Sequence, residues 1–421
     1  MANFKNETQN ELLAAIDTMP VADTHEHLTP EPERIKHDPD FIKVVMTHYA
    51  GSDLVSSGMT HEERWTLDGT DMQFEEKAGL FMKFWPKTSN TTYCRAIDIA
   101  VKDLYGVEKI DGTTLPEINK KMHAAVKPGM YKNILEERCN IKYCVWDGWS
   151  EYPDERKFFR PAYRLDNFVF INETGDIKNL EKSYGAEITS LSGLTDALEK
   201  AMTDSLSKGM AALKSGLAYS RTLDYAPVTS AEASLALEHI LLGRFNKCDA
   251  KILQDHMMHR LADCAGRHGV TFQIHTGMLE GNGNQIGNAD PALLSQLIMH
   301  NPNTRFDLFH GGYPYGGELS AVVKMFRNAY LNLAWLHIVS PSFTVRYLSE
   351  WLEAVPVNKI LAFGGDYCFV EGTYGHMQIA KENLANALAV KVCDGVYPME
   401  TAKKYAYMML YENAEELYLP Q

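Results

Sequence analysis

Short β-branched or apolar runs, each closed by a polar cluster, alternate along the chain with longer stretches in which apolar residues return at helical spacing. That alternation is the pattern of βα units around a parallel sheet. Eight runs can be placed: residues 19–27 (MPVADTHEH), 140–146 (NIKYCVW), 167–171 (NFVFI), 209–218 (GMAALKSGLA), 270–275 (VTFQIH), 305–310 (RFDLFH), 329–336 (AYLNLAWL) and 359–366 (KILAFGGD). Helical patterns over 230–242, 291–300 and 317–327 separate later runs. The expected fold is therefore α/β, a closed (β/α)8 barrel, whose usual size of about 250 residues leaves a surplus in a chain of 421. The surplus falls at 28–138 and is expected to form a helical cap inserted after the first strand. No repeat, low-complexity tract or linker divides the chain, so residues 1–421 are expected to form one domain. An open doubly wound sheet would place a Gly-rich phosphate turn after the first strand, where Asp-Thr-His-Glu-His stands instead.

Charge narrows the partners. Lys and Arg number 41 against 55 Asp and Glu, a formal net charge of −14, which repels nucleic acid and anionic membranes. The expected partner is a small-molecule substrate, in a homo-oligomeric assembly. Seven cysteines lie scattered with no CxxC pair, and no basic leader precedes an apolar segment, so a cytoplasmic location is expected.

The chemistry gathers at strand ends. His25 and His27 are i and i+2 on one strand, so both imidazoles project to one side and suit a divalent transition metal. An isolated His-x-His arises often by chance; here His275 ends the fifth run, His310 the sixth and Asp366 the eighth. Each has an ordinary alternative, a capping or core histidine or a paired core carboxylate, but four of eight strand ends carrying His or Asp form a constellation. Lys214 ends the fourth run, either as a snorkelling side chain or as an active-site amine. Arg221, on the following loop with Tyr219, is either a bidentate clamp for a carboxylate or half of a surface ion pair. His337, after the seventh run, is either an added acid or base or a packed loop histidine. His256 and His259 share a helix face and are given no role. The glycines of LEGNGNQIGNADP are expected to make a loop over the site.

In strand order, His-x-His, Lys, His, His and Asp resemble the amidohydrolase superfamily of metal-dependent barrels. The segments LKSGLAYSR, QIHTG, FHGGYPYGGEL and FGGDY are similar to its amidohydrolase-related branch, which includes uronate isomerases, aromatic-acid decarboxylases and the amidohydrolase-like domain of some glutamine-synthetase-like proteins. The resemblance implies that His25, His27, His275 and Asp366 hold one metal, taken as zinc. It also implies that a second ion enters if Lys214 is carboxylated, and that His310 polarises the substrate or transfers a proton.

These parts lead to an expected hydrolase, in which metal-activated water attacks an amide or ester of a small carboxylate-bearing substrate. Asp366 relays the proton, His310 supports the carbonyl, and Lys214, Tyr219, Arg221, Tyr313 and His337 line the substrate site. The alternatives are a uronate-isomerase-like sugar-acid isomerase, a metal-dependent decarboxylase and, from another class, a non-catalytic scaffold barrel.

Overall fold

A computed structural model describes residues 2–69, 72–148 and 157–419. Eight parallel strands hydrogen-bond in sequence order: β1 (Val21–Glu26), β2 (Ile141–Trp146), β3 (Phe159–Arg164), β4 (Ala212–Ser215), β5 (Thr271–Ile274), β6 (Phe306–Leu308), β7 (Ala329–Asn332) and β8 (Ile360–Leu361). The backbone just past β8 completes the ring, because the Thr24 N–H donates to the Phe363 carbonyl and the Asp366 N–H to the His25 carbonyl. Helices surround this nearly closed barrel, as the alternating pattern predicts.

The third strand lies elsewhere than the sequence pattern places it. Phe168, Val169 and Ile171 of NFVFI are buried, yet Asp166–Phe168 forms a 3-10 turn after the true strand, Phe-Arg-Pro-Ala-Tyr-Arg. Pro161 and two arginines disguise that strand, since proline normally argues against a central position. It is tolerated because the Pro161 carbonyl still accepts the Ala211 N–H, and neighbouring β3 residues keep the ladder.

Between β1 and β2 the chain folds into helices, from Glu31–His37 through Thr92–Tyr105 to Leu115–Ala125. Thr91 caps the helix Thr92–Tyr105 by accepting from the Cys94 N–H. That helix lies on the long buried helix Val370–Cys393, where Gly375 meets the Ala96 carbonyl so closely that any Cβ would overlap it. The barrel floor is plugged by the helix Asn413–Tyr418. The Tyr418 hydroxyl donates to Asp307 inside the barrel and accepts from the Gln273 amide at 2.8 Å. Among the described residues no helix is long and apolar enough to cross a membrane.

Candidate metal centre

At the carboxyl end of the barrel, His25, His27 and Asp366 converge. The two histidine Nε2 atoms are 3.2 Å apart, and Asp366 Oδ1 lies 3.5 Å from His25 Nε2 and 3.2 Å from His27 Nε2. Donors bound to one ion at about 2.0–2.1 Å in tetrahedral geometry stand about 3.3–3.4 Å from each other. The three atoms are therefore spaced as edges of a coordination polyhedron. His27 Nδ1 faces the Asp147 carbonyl at 3.2 Å, which assigns its proton to Nδ1 and leaves the Nε2 lone pair aimed at the cluster. His25 is buried, and its Nδ1 has no hydrogen-bond partner among the described residues. The donor set and its spacing fit a divalent cation.

β1 also fixes the carboxylate that completes this triad. Asp23 accepts the Gly365 N–H at 3.0 Å, and Glu26 accepts the Tyr367 N–H at 2.9 Å and the Thr373 hydroxyl at 2.8 Å. The peptide groups on both sides of Asp366 are thus held by acids of the first strand. Gly365 is needed because a Cβ there would fall on the Glu26 carboxylate. Burial pushes the Asp23 carboxyl up to about 7 and the Glu26 carboxyl well above its usual range. Asp366 goes the other way: burial opposes ionisation, but His27, His25 and His310 together outweigh it and hold the carboxyl well below its usual range. His27 is correspondingly raised, with Asp366 overcoming the effect of burial.

Three more predicted residues adjoin the triad. Lys214 Nζ lies 3.4 Å from His25 Nε2 and 3.7 Å from the centre of the Phe309 ring; burial lowers this amine to about 8. His310 Nε2 and His275 Nδ1 face each other at 3.1 Å. The opposite nitrogens of this pair face backbone carbonyls, His310 Nδ1 toward Ala334 at 2.9 Å and His275 Nε2 toward Met278 at 2.9 Å. With both N–H groups so committed, two lone pairs meet, an arrangement that a proton or cation between them relieves. His275 is thus placed as the partner of His310, rather than beside Asp366 with the two β1 histidines. Burial holds His310 at about 4 and His275 and His25 well below the usual imidazole range, so these rings are neutral near pH 7.

The remaining predicted substrate residues are dispersed. Tyr219 reaches the rim, its ring 4.9 Å from that of His275 and its hydroxyl accepting the Glu280 N–H. Arg221 is drawn into a buried ion pair with Asp255 at 2.6 Å and also donates to Gln254 and to the Thr222 and Asp224 carbonyls, which leaves little of its fork for a ligand. Tyr313 packs edge-on against Phe343. His337 is fully buried, donates to the Ala362 carbonyl at 2.7 Å and is pushed down to about 4, the signature of a packed histidine. His256 and His259 bond to the Val228 and Tyr225 carbonyls away from the centre.

Five residues that the sequence did not single out stand at the site. Asp147, directly after β2, holds His27 through its carbonyl. Its carboxylate accepts three bonds from Arg164, from Nε at 3.2 Å to Oδ1 and 2.9 Å to Oδ2, and from Nη2 at 2.5 Å to Oδ2. Arg164 ends β3 in register with Lys214. The third, His48 on the insertion, contacts the rings of Tyr49, Tyr93, Trp335 and Tyr367 and is pushed down to about 4 by burial. Tyr49 stacks on Trp335 with ring centres 3.4 Å apart, and the Trp335 ring lies 5.7 Å from that of His310. Asp147 is the first residue after the second run, which ends at Trp146, whereas Arg164 was hidden by the misplaced third strand. His48, Tyr49 and Trp335 carry no local sequence signal. The backbone does mark the site: among the described non-glycine residues with positive φ are His48, His310, Trp335 and Asp366, and such strain concentrates at functional centres.

The imidazole and carboxylate cluster lies at the carboxyl end of a (β/α)8 barrel, the face on which barrel enzymes build their active sites. Residues 243–419 match the amidohydrolase family model. Protein fluG of Emericella nidulans is 30% identical over 148 residues, covering 35% of this chain and 17% of that protein's length. Uronate isomerase of Nostoc punctiforme is 22% identical over 328 residues, covering 69% of this chain and 67% of that protein. The solved structure of glucuronate isomerase from Caulobacter crescentus superposes with a TM-score of 0.82 at 17% identity, covering 99% of this chain and 95% of that one.

Proposed function

We propose that this protein is a metal-dependent isomerase that interconverts the aldose and ketose forms of a sugar acid, with zinc as the ion. The observation that carries the proposal is Arg164, a guanidinium fixed by Asp147 beside the His25–His27–Asp366 triad, where it can take the carboxylate of an acid whose carbonyl end lies at the triad. The similarity to uronate isomerases supports isomerisation over the hydrolysis expected first from sequence.

A divalent ion held by His25, His27 and Asp366 would polarise the carbonyl and adjacent hydroxyl of such a substrate. The chain's own groups then have a proton to move. Aldose-to-ketose conversion takes a proton from the hydroxyl-bearing carbon and returns one to the neighbouring carbonyl carbon, while the hydroxyl proton passes to the carbonyl oxygen; the formula does not change. Asp366, the ionised carboxylate of the triad, is assigned to this carbon-to-carbon transfer. His310 donates its Nδ1–H to Ala334 and so presents a lone pair at Nε2, which suits it to accept a proton rather than to donate to a carbonyl oxygen. Arg164 fixes the orientation, and the Tyr49–Trp335 pair covers the cluster.

Mass spectrometry of the zinc-loaded protein with hexuronic acids, N-acyl amino acids, lactones and aromatic acids separates the readings. An isobaric product from a uronic acid is expected. Products that gain the mass of water or lose carbon dioxide would replace the proposal with hydrolysis or decarboxylation, and no turnover of any class would favour the scaffold.

A further inference from the structure

On the far side of the Tyr49–Trp335 pair from the metal cluster lies a cavity of about 370 Å³ between the inserted helices and the segment after β7. We propose that this cavity is a second sugar subsite, so that the substrate is an acid-terminated disaccharide or longer chain rather than a single sugar acid. The proposal rests on the isomerase reading for the identity of the reacting end.

The volume lies within the range of small-molecule sites, about 300–1,000 Å³. Its walls combine aromatic rings with side chains that hydrogen-bond in both senses. Tyr49, Tyr93 and Trp335 supply rings, and Asp53, Asn90, Thr92 and Ser342 supply carboxylate, amide and hydroxyls. Asn90 and Ser342 are exposed and Thr92 is half-buried, so their polar groups stand at the open side of the cavity. The indole N–H of Trp335 is buried without a partner, an arrangement that costs about 1–3 kcal/mol unless a ligand or water satisfies it. An anion would meet the Asp53 carboxylate, and a purely apolar group would leave the buried Trp335 N–H unpaired. A polyhydroxylated ring satisfies all of them: each of its hydroxyls both donates and accepts, and its C–H faces pack on aromatic rings.

The cavity also shares its wall with the reaction centre. Met278 lines it and holds His275 through its carbonyl, and Trp335 lines it and approaches His310 edge-on. A chain with its acid end at Arg164 and its next residue in the cavity would run past Tyr49 and Trp335.

The test compares a single uronic acid with a disaccharide bearing that acid at its reducing end, using the zinc-loaded wild type and the variants Asp53→Asn and Thr92→Val. The variants are expected to raise KM for the disaccharide by about tenfold, roughly one lost hydrogen bond to a charged or buried partner. KM for the single acid is expected to stay within about twofold, on the scale of a remote surface change. Equal effects on both substrates, or no effect on either, would overturn the subsite. If the wild type turns over neither compound, titration calorimetry with the same disaccharide decides. Binding that the variants weaken by about tenfold upholds the cavity while the isomerase proposal falls; absent binding, or binding indifferent to the variants, removes the cavity as well.

Discussion

In the proposed reaction Asp366 is the residue on which the chemistry turns, because it touches His25, His27 and His310 and sits in a strained positive-φ backbone clamped on both sides by Asp23 and Glu26. Asp366→Asn is expected to lower bound metal, measured by elemental analysis, and to reduce kcat by at least about 100-fold, in line with removal of a general acid–base group. Full metal content with full turnover would show that another group moves the proton. Arg164→Met should act differently, raising KM for an acidic substrate far more than it lowers kcat, since it removes a binding charge remote from the reacting carbons. Asp307 gives a pH signature. Its buried carboxyl, hydrogen-bonded by Asn332 and Tyr418, is raised from 3.8 to about 7, with burial as the leading cause. The folded state thus binds this proton more tightly than the unfolded chain, so its stabilising effect is complete below about pH 4 and is lost as pH rises to about 7. Thermal melts of the wild type should therefore fall relative to Asp307→Asn across that window, and a constant gap would contradict the assignment.

Among the elements, the strands with uninterrupted apolar runs were legible, and their polar tails marked the cluster: His25, His27, Lys214, His275, His310 and Asp366 all lie where strand ends place them. β3 was not legible, because Pro161, Arg160 and Arg164 break the apolar pattern while the apolar stretch 168–171 imitates it; Arg164 was lost with that strand. Arg221 illustrates a different limit. Its sequence neighbours do not reveal that Asp255, more than thirty residues away on another helix, claims its guanidinium. The aromatic cover was equally out of reach, since His48 and Tyr49 come from the insertion and Trp335 from the segment after β7, and only packing unites them. One contact between elements can be tested directly. Gly375 lets the helix Val370–Cys393 press onto the Ala96 carbonyl, so Gly375→Ala should cost about 1–3 kcal/mol by forcing the helices apart. Denaturant unfolding that matches the wild type would show that the helices give way without cost.

Across the whole molecule the metal triad joins the beginning of the barrel to its end. His25 and His27 belong to β1, while Asp366 follows β8, and the strand pairing between these two edges is completed by a few backbone bonds around the same residues. Metal binding should therefore staple the seam. Removing the ion with a chelator is expected to lower Tm, reversibly on adding zinc, and to speed amide exchange at residues 21–27 and 360–367 more than in β4 to β6. Uniform exchange changes would place the stabilisation elsewhere. Against a net charge of −14, Arg164 and Lys214 are local exceptions, which in the proposed reaction concentrates attraction for an acidic substrate at the cluster mouth. The most direct measurement is proton NMR of the zinc-loaded protein with a hexuronic acid in deuterated water. Sugar-acid isomerisation predicts a ketose product of unchanged carbon skeleton approaching a fixed equilibrium ratio with the aldose from either direction. An unaltered uronic acid in the presence of fully occupied metal, alongside cleavage of an amide or ester by the same sample, would contradict it.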